Sequence, residues 1–192
     1  MTFLLDYQPP WIGVPEYWPF PRPDGDPLPS IPVWANELVE EIRSSSPLTD
    51  DQAEHVRSVA VMVAERAQAS QCRHYLVFDE PGGAAFIVSS ELRPEEDLGI
   101  RSLREYVGEG DPAHIGVPFA EDFTSNSGVR GARCYRYLSY DEELGSIYGR
   151  ADYAFVAGGE LLTLTAMELD LVWFDRTLPL VEELARSVRW AE

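Results

Sequence analysis

Lysine is absent from this chain, and all fifteen of its basic residues are arginine. A phosphate-binding loop of the Gly-x-x-x-x-Gly-Lys type is therefore excluded, as is Schiff-base chemistry on a lysine amine. The other common catalytic signatures are missing too: no Gly-x-Gly-x-x-Gly, Gly-x-Ser-x-Gly, His-Glu-x-x-His or Cys-x-x-Cys occurs. Cysteine is scarce. Cys72 and Cys134 cannot build a disulfide scaffold and are expected to be buried free thiols. Three histidines and two cysteines, none at ligand spacing, argue against a tetrahedral zinc site, and no cofactor is expected. No run approaches the 18 apolar residues of a membrane span, and Met1–Asp6 has no basic region of the secretory kind. The expected setting is cytoplasmic, with no membrane partner. Asparagine occurs only at Asn36 and Asn126. Because lysine and asparagine codons are A/T-rich, the bias reads as a high-G+C bacterial gene.

What is abundant is acid. Fifteen bases against 33 acids leave a formal charge of −18, which repels nucleic acid and anionic lipid and favours solubility or a basic partner. A hydrophobic fraction of 45% is ample for a core. Nine prolines between Pro9 and Pro32, interleaved with Trp11, Tyr17, Trp18 and Phe20, set residues 1–33 apart. Proline removes backbone donors, so this segment is expected to be an extended strap, with Phe3-Leu4-Leu5 as a short edge strand. Two readings stand open for it: a strap packed on the protein's own core, or a proline-rich ligand for another domain. Residues 34–192 read as one α+β domain.

The clearest local signal is a hairpin about Gly158-Gly159. Paired glycines suit a two-residue primed turn, and that turn opposes residues summing to 317. Phe155 then faces Leu162, Tyr153 faces Leu164 and Ala151 faces Ala166, all on one apolar face. Arg150, Asp152, Thr163 and Thr165 share the other. A second hairpin is expected over 74–90, with Glu80–Gly83 as its turn and both faces apolar, hence covered on both sides. Helices are expected over 34–46, from Thr49 (with Gln52 completing a capping box), over 94–107 and over 177–189. The stretch 108–131 reads as a long glycine-rich loop, residues 132–140 as a strand, and 141–145 as an acidic turn.

Two candidate sites follow. In the loop, His114, Glu121 and Asp122 are the one place where a carboxylate could orient an imidazole as a base; an ordinary loop is the competing reading. On the strand, Arg133, Tyr135 and Tyr137 alternate on one face and Cys134, Arg136 and Leu138 on the other. Either the tyrosines face outward as a platform for a protein partner or they belong to the core. With Arg150 and Asp152 they form the candidate interaction surface.

From residue 73 on, the order hairpin, helix, loop, strand, hairpin, helix, ending in Leu161–Ala166 and Leu180–Trp190, resembles the PsbP-like fold of the photosystem extrinsic subunit and related actinobacterial lipoproteins. It also resembles actinobacterial cytosolic proteins of that architecture. The resemblance implies a central antiparallel β-sheet with helices packed mainly on one face, and a non-catalytic binding or assembly module. The chain departs from it in lacking a lipid-attachment cysteine and in adding the strap and the helices over 34–70, so no family binding residue carries over. The expectation is a non-enzymatic binding or accessory protein acting through a protein partner or as a homodimer. The alternative is a small-molecule binder or enzyme using the 108–131 loop.

Overall fold

The structure is a computed structural model and describes residues 2–22, 25–70, 72–141 and 146–191. In chain order its elements are β1 (Thr2–Leu5), β2 (Ile12–Val14), α1 (Ile31–Ser45), α2 (Asp50–Ser70), β3 (Arg73–Phe78), β4 (Ala85–Pro94), α3 (Leu103–Val107), β5 (Phe119–Thr124), β6 (Arg130–Asp141), β7 (Ser146–Ala157), β8 (Glu160–Glu168), α4 (Leu171–Arg186) and β9 (Val188–Ala191). They form two compact units, Pro9–Ile87 and Met1–Gln8 with Val88–Glu192.

In the unit Pro9–Ile87, α2 starts as its sequence dictates. The Thr49 hydroxyl accepts from the Gln52 N–H, and the Gln52 side chain accepts from the Thr49 N–H. Ala53, Val56, Ala60, Val63 and Ala67 form its buried stripe, packed with Trp34, Leu38 and Val39 of α1. Small residues at this spacing let a helix lie close to its neighbours. The proline-rich segment is packed, with Trp18 6.4 Å from Trp34 and Phe20 against the same core. Part of it does more than cover a face: Ile12-Gly-Val14, a stretch without proline, keeps its N–H donors and pairs antiparallel with Leu76–His74 of β3. The 80–83 turn closes with Asp79 N–H donating to the Ala84 carbonyl at 3.0 Å.

In the other unit, β4, β8, β7, β6 and β5 form an antiparallel sheet in that order, and β1 pairs with β9. The β7–β8 register is the one expected from the turn, with Phe155 opposite Leu162 and Tyr153 opposite Leu164. Gly158 and Gly159 have φ of +58° and +84°. The apolar face of this hairpin is covered by α4, whose Phe174 sits where a side chain at Gly149 would be. The opposite face carries the short α3, with Val107 packed on Ala132, Cys134, Ala154 and Leu161.

Three expectations need correction. The helix expected over 94–107 is broken: a 3-10 turn at Glu95–Leu98 ends where Gly99 adopts φ +63°, and α3 starts afresh with a Ser102/Glu105 capping box. The 108–131 stretch contains a strand, β5, whose Phe119, Glu121 and Phe123 alternate toward one face of the sheet. The last helix starts earlier than expected, at Leu171, because Asp170 caps it by accepting from Val172 and Trp173; Pro179 lies inside it, and β9 follows. The acidic turn at 141–145 lies, from Glu142 on, outside the described residues.

Candidate functional site

The β6–β7 register decides which side chains meet. Arg133 opposes Tyr153, Cys134 opposes Asp152 and Arg136 opposes Arg150. Successive strand residues alternate faces, so Arg136, Arg150 and Asp152 share the α3 face while Arg133, Tyr135 and Tyr137 lie on the α4 face. The five residues of the candidate interaction surface are therefore split between the two sides of the sheet.

On the α3 side Asp152 is the hub. Its Oδ2 accepts from Arg136 Nη2 at 2.8 Å and from Arg150 Nε at 2.7 Å; its Oδ1 accepts from Arg150 Nη2 at 2.9 Å and from the Thr165 hydroxyl at 2.8 Å. Arg150 grips the carboxylate with both prongs of its fork, the strongest geometry available to such a pair. Arg136 also donates to Asp111 at 2.7 Å. Asp152 and Arg136 are buried, and charge at that depth is tolerated only when paired and hydrogen-bonded. Gly108 makes room for this arrangement: it caps α3 at φ +116°, and a side chain there would overlap the Arg136 guanidinium.

Above this floor opens a groove of about 300 Å³. Glu91 and Arg93, ion-paired at 2.8 Å, border it from β4. Thr163 and Thr165 border it from β8, Asp97 and Arg101 from the segment leading into α3, and Tyr106 from α3 itself. Arg101 lies over the Tyr106 ring at 4.7 Å and donates to the carbonyls of Leu98 and Asp97. Of the sequence candidates, Arg150 and Asp152 line this groove. Arg136, Arg101 and Arg93 were not singled out. For Arg136 a signal existed, since strand alternation already separated it from the tyrosines.

The α4 side is a packed network. The Arg133 guanidinium lies 5.3–5.8 Å from the rings of Phe119, Phe123 and Tyr135 and ion-pairs with Glu121 and Glu182. The Tyr135 and Tyr153 hydroxyls are 2.6 Å apart. Burial pushes both phenols above their ordinary range, the Tyr153 phenol furthest. Tyr135 is thus half-buried within the network. Tyr137, at the rim, donates to Asp175 at 3.2 Å.

The loop residues are not brought together. His114 bridges to Leu138, Glu121 opposes Arg133 and Asp122 opposes Ala132. Leu138 and Arg133, the partners of His114 and Glu121, lie five positions apart along β6, about 17 Å of extended strand. Glu121 and Asp122 point to opposite faces, and Asp122 borders a second cleft of about 420 Å³ with Arg104 and Arg130. Among the described residues no three His, Cys, Asp or Glu side chains cluster as metal ligands, and no helix is long and apolar enough to cross a membrane. No family model matches the chain, and no curated protein matches it in sequence.

Proposed function

We propose that this chain is a non-enzymatic binding or accessory protein whose ligand enters the groove floored by Arg136, Arg150 and Asp152. The observation carrying this reading is that the groove is concave and polar while its buried carboxylate is fully committed: Asp152 accepts from two guanidiniums and a hydroxyl. A general acid or base needs a proton it can exchange, and a carboxylate tied into such a lattice instead shapes a surface. The PsbP-like resemblance points the same way, toward binding and assembly. A cytoplasmic setting belongs to this reading, and two free thiols accord with a reducing compartment. The test is a thermal-shift screen of small polar metabolites on the intact chain, repeated on Thr163→Val. Ligands that stabilise the native chain and lose that effect in the variant support the reading; stabilisers indifferent to groove substitutions refute it.

A second reading, self-association, is favoured by a different observation. Ile115, Val117 and Phe119 are exposed where the chain enters β5, the strand at the end of its sheet. Open strand edges flanked by apolar side chains invite pairing with another copy. Light scattering would give a dimer mass that Val117→Asp with Phe119→Arg returns to the monomer; a monomer in the unaltered chain at high concentration rejects it.

A further inference from the structure

We infer that the groove on the α3 side of the sheet takes the oxyanion group, carboxylate or phosphate, of a small polar molecule; this rests on the binding reading proposed above for the same groove. Acids outnumber bases more than two to one along the chain. The groove reverses that balance, with four guanidiniums, Arg93, Arg101, Arg136 and Arg150, against three carboxylates. Asp111 engages Arg136 from outside the lining.

The arginines are not equivalent. Arg93 is tied to Glu91 and Arg150 to Asp152. Arg101 makes no ion pair among the described residues and is held by backbone carbonyls and the Tyr106 ring, which orients its guanidinium without neutralising it. On the floor, Arg136 is more than nine-tenths buried, and its Nε–H has no acceptor among the described residues. That Nε–H is enclosed beside Gly108, so what the floor offers an oxyanion is the positive charge of a guanidinium fixed by Asp152 and Asp111. Guanidinium is the side chain best matched to the paired oxygens of carboxylate and phosphate. The hydroxyls of Thr163 and Thr165 add uncharged contacts for the rest of such a ligand. The long-range repulsion from an acidic chain is screened within about 8 Å at physiological salt, so contacts at this range decide the outcome.

The test is a titration of the intact chain followed by its arginine Nε–Hε resonances, at constant ionic strength set with chloride. Inorganic phosphate and succinate are the anionic probes and glucose the neutral one. The inference expects saturable shifts of Arg101, Arg136 and Arg150 with at least one anion, no such shift at Arg43, and at least tenfold weaker binding in Arg101→Gln. Phosphate alone saturating assigns a phosphate group, and succinate alone a carboxylate. Arg136→Gln tests the floor directly; should it not fold, the exposed Arg101→Gln still decides. Anion shifts no different from those of chloride overturn the inference. If glucose then still gives saturable shifts at groove residues, the groove reading survives without it; silence with all three probes removes both.

Discussion

Asp152 and Arg136 meet at 2.8 Å with 8% of either side chain exposed. Two strands contribute one residue each, and burial makes the pair mutually dependent.

Removing the carboxylate takes a partner from two guanidiniums at once and leaves buried Arg136 with Asp111 alone. Asp152→Ala is expected to cost about 3–5 kcal/mol, the range for breaking a buried ion pair by deleting one partner. Arg150 is more exposed and leaves Asp152 with two other donors, so Arg150→Gln is expected to cost about 1–3 kcal/mol. Urea denaturation of the two variants measures the difference; equal costs would show that Asp152 is not the hub.

The turn of the central hairpin makes a second prediction. Gly158 and Gly159 both have positive φ, but only Gly158 lies against the Trp190 ring, while nothing stands near Gly159. Gly159→Ala should lose only the left-handed backbone preference, about 1–2 kcal/mol. Gly158→Ala should lose more. In a Trp190→Ala background the cost of Gly158→Ala should fall to that of Gly159→Ala, a non-additivity that a double-mutant cycle reads directly.

Glu182 makes stability depend on acid pH. Burial alone would raise its carboxyl, but hydrogen bonds from Arg186 and Arg133 outweigh that and hold it below the ordinary 4.5. The folded carboxyl then releases its proton more readily than the unfolded one. Its contribution is present above the unfolded value and is lost as pH falls through the depressed folded value. Glu182→Gln should flatten that part of the stability profile, measured as urea midpoints from about pH 6 down to about pH 3. Parallel profiles for the variant and the unaltered chain would contradict it.

The thiols should differ sharply. Cys134 is buried, and burial pushes it up to about 11, whereas Cys72 is partly exposed. Since the thiolate is the reactive form, one thiol per chain should react with a disulfide reagent under native conditions and the second only on unfolding. Mass mapping should place the fast label on Cys72.

Much of the local structure could be read from residue types. Gly158-Gly159 and the apolar alternation on either side specify the β7–β8 register, because a slip by one residue would exchange the two faces. Thr49 and Gln52 announce the start of α2 through bonds that span only three residues. β5 was harder to see: its strand pattern sits among glycines and prolines that read as loop, and it is pairing with β6 that stabilises it as a strand. The groove was half legible, since Arg150 and Asp152 share a face by alternation alone. Arg101 and Arg93 come from separate segments, and no spacing rule connects them to β7.

The sequence by itself determined the periodicities: which residues of a strand share a face, which face of a helix is apolar, and where turns and caps interrupt them. These follow from backbone geometry within a few residues. Which face α4 would cover was decided only by the tertiary structure. Arg133, Tyr135 and Tyr137 suited an open platform as well as a packed interior. Glu182, forty-nine residues beyond Arg133, pairs with it once α4 folds back on the sheet. That choice encloses Arg133 and Tyr135, keeps Tyr137 at the rim, and leaves Arg136, Arg150 and Asp152 to floor the groove, because long-range packing, and not alternation, selects which side of a sheet is removed from water.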